Sequence, residues 1–564
     1  MKHLVATGAV IAAALACPLA AVPSDAAVAT SVWYVAAHAR AAGDGSAQRP
    51  FDQLADAEHA SRAGDVVYVL PSARMLDGGI RLKPRQTLVG GCPAVRGLAA
   101  TAKAARLTNT TTRLAGDAVR LSDGATVRNL RITGARRGAV YGVDVTGVRV
   151  LGNDVSGHNT SCTPGFLIPQ FNAPTNLPGV GIPIVGGLPN GWAGVMIDGG
   201  RRTGATATIS GNVVRDAVCG DGIDVRTWGT ASYQVTISGN EVHHLQQGED
   251  FKSLLAIGLQ TRGHSELVAS VTGNVQRDLG NPDDLNVVVG ADSEGVFVNG
   301  VGPSTLKATV ERNIYTNVRG LGGFSANGLE MVTMGAGSRV DVVVRDSHFS
   351  GSPGDVIEEG ALGTNARLSM VLERVTAERS TGIGNTAVVP FNNGDCLLAG
   401  SLGAGNDIRL TVRDSVLRGC SNNGLSVGSN VVNGSGPTNS IDVLVDRTRI
   451  TGNRGGNLGI RNFTGLRSLS VKVRRSDLAG SRGLGSAFAD VAAEDLGSTD
   501  HSVIEISDSC VDGPLFAAHV VRYDVAARQV WWGQPGGPGP LATTVLGGSL
   551  DSSSPLGERP AYCG

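Results

Sequence analysis

The residues best suited to chemistry gather between Trp192 and Lys252. Asp221, Asp224 and Arg226 come first, and His243, His244, Glu249, Asp250 and Lys252 follow about one repeat later. Asp221, Asp224, Glu249 and Asp250 carry the oxygen ligands that Ca2+ takes. Arg226 or Lys252 beside such an ion can abstract a proton next to a uronate carboxylate, so Asp221, Asp224, Arg226 and Lys252 form the candidate catalytic set. Trp192, Trp228 and Tyr233 lie in the same stretch and offer ring faces on which a sugar can stack. A plainer reading stands beside this one. In it the two aspartates are solvated turn and outer-face residues, the Glu249 to Lys252 run is a polar loop, and the tryptophans pack the base of an insertion.

A second constellation is Glu330 with Glu358, 28 residues apart (330 to 358). The flanking phrases align without gaps: Gly335 with Gly363, Arg339 with Arg367, Val340 with Leu368. Two carboxylates ~5 Å apart on adjacent strands have the separation used by retaining glycosidases. Glu330, between Leu329 and Met331, points outward. The doublet Glu358-Glu359 leaves the second carboxylate's face open, and like charges also recur on ordinary repeats.

The elements that must hold these residues are short strands. One phrase recurs as Ala207-Thr-Ile-Ser-Gly-Asn212, Val235-Thr-Ile-Ser-Gly-Asn240, Ala269-Ser-Val-Thr-Gly-Asn274 and Ala308-Thr-Val-Glu-Arg-Asn313. Later copies replace the Asn, as at Ser347, Ser415, Thr448, Ser476 and Ser509. Apolar and polar residues alternate before each small turn, which is the period of a half-buried strand. The spacings are 28 (212 to 240), 34 (240 to 274), 39 (274 to 313) and 34 (313 to 347). Between copies runs a second phrase: Asp221-Gly-Ile, Glu294-Gly-Val, Asn327-Gly-Leu, Asn423-Gly-Leu. Several strands per variable repeat and no helix between them predict a parallel solenoid with loops bulging at one corner. A propeller would show near-constant blades with periodic aromatics, and only 4% of the residues are aromatic.

The opening Tyr34-Val, Gly43-Asp-Gly, Pro50-Phe and Gly64-Asp-Val-Val-Tyr-Val-Leu-Pro71, the Gly-Asn turns and the closing Val530-Trp-Trp-Gly-Gln-Pro-Gly-Gly-Pro538 carry a resemblance. They resemble bacterial right-handed parallel β-helix proteins of the pectin lyase-like superfamily. The closing phrase is similar to an Asn-Trp-Trp-Gly motif, with Val530 in place of the Asn. The resemblance implies an all-β, right-handed parallel β-helix with a short N-terminal cap and a C-terminal closing segment. It does not imply one activity, because the superfamily spans lyases, hydrolases, epimerases and adhesins. The polygalacturonase-like pattern would need Gly-His-Gly and Arg-x-Lys, both absent, and only Asp283-Asp284 matches part of it. The full pectate lyase motif and the Asp-Pro-His-Asp of alginate epimerases are missing too.

The expected organisation is a signal peptide at 1–29, a cap with the first strands at 30–100, repeats at 101–513 and a closing segment at 514–564. The signal reads from Lys2, an apolar run from Leu4 to Leu19 and the small residues Ala27-Val28-Ala29. A lipoprotein attachment at Cys17 is the weaker alternative. An insertion at 158–191 lengthens one interval to 59 residues (153 to 212) and is rich in Pro. No later run reaches the ~18 apolar residues of a membrane span. Forty-eight Lys plus Arg against 49 Asp plus Glu give a net charge of −1, which speaks against a non-specific nucleic-acid binder.

Seven of the eight cysteines follow Ala29, and none lies in a C-x-x-C pair. Three bridges are expected, Cys162–Cys219, Cys396–Cys420 and Cys510–Cys563, with Cys92 a free, buried thiol. The spacing of Cys396 and Cys420 is close to one minimal coil. The rival is that they occupy different corners. The expectation for the whole is a secreted monomer that binds or acts on extracellular polysaccharide, as a lyase or glycoside hydrolase, with Ca2+ the one candidate cofactor. The alternative is a non-catalytic, adhesin-like surface scaffold.

Overall fold

A computed structural model describes residues 30–564 apart from 92–104, 166–189, 249–250, 252, 281–291, 318–325, 382–393, 430–438, 464–465, 483–488, 513–516 and 540. The signal segment, Cys92, Asp283-Asp284 and most of the Pro-rich insertion therefore lie outside the described residues. The chain winds as a parallel β-helix. Its strands form three all-parallel sheets, described as 17-, 11- and 15-stranded and here called the first, second and third. The repeat phrases of the sequence are the rungs. Ala205–Ser210 pairs in register with Ser232–Ser238, which pairs with Glu266–Thr272 and then Thr305–Glu311.

Each coil buries the same apolar columns. On the third sheet Val195, Ile223, Ile257, Val296, Leu329, Ile357, Leu397 and Leu425 stack inward, one per coil. A narrow interior fits branched aliphatic residues better than large rings, which accounts for the low aromatic content. The corner between the first and second sheets carries an asparagine ladder through Asn153, Asn212, Asn240, Asn274 and Asn313. Each side chain from Asn153 to Asn274 bonds to its neighbours one coil up and one coil down, so the corner's buried amides find acceptors.

Helix Leu54–Ala60 buries Leu54 and Ala57 at the N-terminal end of the solenoid, beside the strand Val32–Val35. Bridges Cys162–Cys219, Cys396–Cys420 and Cys510–Cys563 are all present, with Cα separations of 5.3, 5.6 and 6.1 Å. The two cysteines of the middle bridge thus share a corner, and the last bridge ties the C-terminus to the solenoid. Among the described residues no helix is long and apolar enough to cross a membrane.

The sheets differ in how they meet their surroundings. A first-sheet strand such as Arg339–Arg345 alternates buried and open residues, as expected of one solvated face. Third-sheet strands such as Val195–Gly199, Leu329–Met334, Leu397–Ser401 and Leu425–Ser429 are buried at every position. Its outward-pointing Phe297 and Val332 join Leu255 and Met334 in an apolar cluster separate from the interior. Among the described residues the third sheet holds a long row of side chains that point outward and yet are shielded.

Candidate functional site

The second phrase of the repeat ends in the corner that leads into the third sheet. Two residues before each inward aliphatic of that sheet, Asp221, Leu255, Glu294, Asn327, Asp355, Asp395, Asn423 and Gly456 occupy one position on successive coils. The side-chain oxygens of all but Leu255 and Gly456 accept the backbone N–H of the next coil. Asp221 accepts from Leu255 (2.9 Å), Glu294 from Asn327 (3.2 Å) and Asn327 from Asp355 (2.9 Å). Asp355 then accepts from Asp395 (2.7 Å), Asp395 from Asn423 (2.8 Å) and Asn423 from Gly456 (2.7 Å). An asparagine does this without charge, whereas an aspartate or glutamate brings a carboxyl group into a dry corner. Burial, with repulsion from Asp395 and Glu358, raises the Asp355 pKa well above the carboxylate range. Burial raises Asp395 as well.

The next outward column runs Asp224, Gly258, Phe297, Glu330, Glu358, Leu398, Ser426. Glu330 and Glu358 are register partners on adjacent strands, which sit ~4.8 Å apart. Glu358 accepts a hydrogen bond from the Asn327 side chain at 2.9 Å, and Glu330 is 6% exposed. The Glu358-Glu359 doublet is resolved by the register. Glu359 points inward between Met331 and Ala399, and burial alone drives its pKa up.

Beside this column lies a strip without side chains. Gly360, Gly400 and Gly428 follow one another on three successive coils, two residues after Glu358, Leu398 and Ser426 and on the same outward side. A Cβ at Gly360 would come within 3.1 Å of a Glu358 oxygen. Val332 bounds the strip at one end and Arg461, paired with Glu494 at 2.8 Å, at the other. Consecutive glycines in strand interiors weaken a sheet and mark places where another molecule or backbone approaches closely. The three glycines are buried, so the strip is a shielded stretch of bare backbone with two acids on its edge.

The residues singled out between Trp192 and Lys252 are divided by the fold. Asp221 belongs to the corner ladder, with one oxygen on Leu255 N–H and the other accepting from Asn190. Asp224 faces outward at 2% exposure, and burial with the neighbouring Asp221 carboxyl raises its pKa. Arg226 forms a two-pronged ion pair with Asp198 (2.9 and 3.1 Å), and the Trp228 indole donates to the same carboxylate at 3.0 Å. Trp192 packs edge-on against Tyr141 under the Arg137 guanidinium. Tyr233 is 3% exposed within the interior cluster, beneath Gly199, so its ring faces the core. Glu249, Asp250 and Lys252 lie outside the described residues. The Ca2+ ligand set of the sequence is therefore represented by Asp221 and Asp224 alone, and Asp221 already spends both oxygens on N–H donors. His243 and His244 sit on the second sheet's corner.

The glycine strip and the ladder acids Asp355 and Asp395 are not among the candidates that the sequence marks. A signal for them existed: an acid or amide two residues ahead of an apolar strand, repeated at coil spacing.

No protein-family model and no curated protein matches the sequence. Among solved structures the chain is similar to pectate lyase Pel9A, at 14% identity over 85% of this chain and 78% of that one, with a TM-score of 0.24. It is similar to a rhamnogalacturonan lyase at 9% identity, covering 94% of this chain and 88% of that one, TM-score 0.22. A GH136 lacto-N-biosidase from Eubacterium ramulus also matches, at 9% identity over 94% of this chain and 68% of that one, with a TM-score of 0.20.

Proposed function

We propose that this chain is an exported β-helix protein that cleaves a glycosidic bond of an extracellular polysaccharide laid along the glycine strip of its third sheet. The observation that carries the reading is the pairing of Glu330 with Glu358 at the edge of that strip. One carboxylic acid gives its proton to the glycosidic oxygen as the C–O bond breaks. The other carboxylate attacks the anomeric carbon, and water then cleaves the resulting ester. The Asn327 side chain donates to Glu358 and orients it for the attacking role. Glu330, its register partner, takes the proton-donating role in this reading. Asp224 and Arg226 lie on the same outward columns three strands earlier and would meet more distant sugars.

The ladder favours a second reading. Its acids serve backbone amides, so the same row is also what a non-catalytic glycan-binding scaffold would carry. Affinity electrophoresis through neutral and uronate polysaccharides tests both readings. Retention of the wild type, lost in Gly400→Leu with an unchanged melting temperature, is expected. A panel that retains neither protein, or both equally, would rule the strip out as a sugar site.

A further inference from the structure

The corner after the second sheet turns through a left-handed residue on five successive coils. Glycine fills that position at Gly134 and Gly157, with φ of 65° and 57°. On the next three coils it is Asp216, His244 and Asp278, with φ of 57°, 54° and 54°. These side chains accept an unfavourable backbone conformation that glycine would adopt freely. Strands Val213–Arg215, Glu241–His243 and Val275–Arg277 pair in register, so Asp216, His244 and Asp278 stack, with His243 beside them.

The ring nitrogens are arranged in one sense. His244 Nε2 faces Asp278 at 3.5 Å, and His243 Nε2 faces Glu241 at 3.8 Å. A carboxylate on that side favours the tautomer with hydrogen on Nε2, the arrangement that orients metal-ligating histidines. The two Nδ1 atoms face each other 2.7 Å apart, a contact that a hydrogen on one nitrogen satisfies and that a cation held by both would replace. Asp216 reaches the same point, its carboxylate 3.9 Å from His244 Nδ1, and the three ligand atoms lie within 4.8 Å of one another.

The geometry points to a divalent transition-metal site, of the kind zinc occupies, formed by Asp216 with the Nδ1 atoms of His243 and His244. Two imidazoles and a carboxylate suit Zn2+, which takes nitrogen at ~2.0–2.1 Å and keeps a fourth position for water. Tetrahedral coordination would open the Nδ1 pair to roughly 3.3 Å, a small rotation for rings on an open corner. The neighbouring charges permit it. Arg277 holds Glu241 (2.7 Å) and Asp278 (3.1 Å) on the far side of the rings. Arg215 contacts Asp216 but also holds Asp154 at 3.1 Å, so Asp216 can turn to the metal without stranding a cation. The site is on a different sheet from Glu330 and stands apart from the glycan reading.

Untagged protein, stripped with chelator, is titrated with Co2+ and with Zn2+ against a chromophoric competitor. One equivalent of Co2+ with tetrahedral visible bands is expected, displaced by Zn2+. His244→Asn, which keeps a residue tolerant of the left-handed turn, and His243→Gln should each weaken binding by about tenfold or more. Absence of the bands would overturn the site, as would a shared proton as the only occupant of the Nδ1 pair. Equal affinity in His244→Asn would overturn it too.

Discussion

Truncating Asn240 to alanine isolates what the corner ladder contributes. Its side-chain oxygen accepts from the Asn212 backbone N–H and side-chain amide, both at 2.9 Å. Its own amide donates to the Ile209 carbonyl and to Asn274, both at 3.0 Å. The neighbouring side chains keep other partners after truncation. The Asn212 amide still reaches Val150 O, and the Asn274 oxygen still accepts the residue 240 N–H. The Asn212 N–H is left orphaned in a corner where Asn240 is 1% exposed, while the Ile209 C=O stays in the strand ladder. At about 1–3 kcal/mol for a buried unsatisfied group, the loss is about 1–3 kcal/mol. Serine should cost roughly half as much, because Ser347 already shows the substitute. Its hydroxyl accepts the Asn313 N–H at 3.1 Å and donates to Arg345 O at 2.7 Å. A stacked solenoid can open coil by coil, so the readout is hydrogen exchange of the peptide containing Asn212, alongside denaturant midpoints. Asn240→Ala within the error of wild type, or Asn240→Ser as damaging as Asn240→Ala, would refute the ladder's energetic role.

Burial raises the Asp490 pKa from 3.8 to about 6, so the folded chain binds that proton more tightly than the unfolded chain does. Its contribution is therefore fully present below pH 4 and lost as the pH climbs to about 6. Asp490→Asn keeps the acceptor for Asn457 (2.9 Å) and Ser481 (2.7 Å), and should gain on the wild type in melting temperature across that window. A pH-independent difference would contradict this. Replacing Cys396 and Cys420 with serine opens a bridge across 24 residues and should cost about 3 kcal/mol in the chain-entropy picture, read as a shifted denaturant midpoint. An unshifted midpoint would show that stacking alone clamps those coils.

The architecture was readable because its signals are local and repeated. Alternation ending in Gly-Asn at Asn212, Asn240 and Asn274 gives strand, turn and coil spacing together, and the cysteine pairs follow from which corners stack. The outward face of Glu330 was readable from its apolar neighbours. Glu358 was not, because in a Glu-Glu doublet only the cross-coil register with Met331 and Ala399 tells which acid is inside. Tyr233 and Trp192 show a second limit: an aromatic ring that fills a core and one that meets a ligand look alike in a sequence. Arg226 seemed available as a base, yet Asp198, one minimal coil earlier, holds it. The Gly360, Gly400 and Gly428 strip was invisible because 80 glycines hide three that share a column.

Glycosidic cleavage at this strip requires Glu330 and Glu358 to work as a pair. The decisive measurement is the rate of reducing-end release from the best-retained polysaccharide by wild type, Glu330→Gln and Glu358→Gln at equal melting temperature. Each variant should lose about 10²–10⁴-fold in rate while still being retained by the glycan. Full rates in either variant, or no release by the wild type from a glycan it binds, would contradict catalysis at this pair.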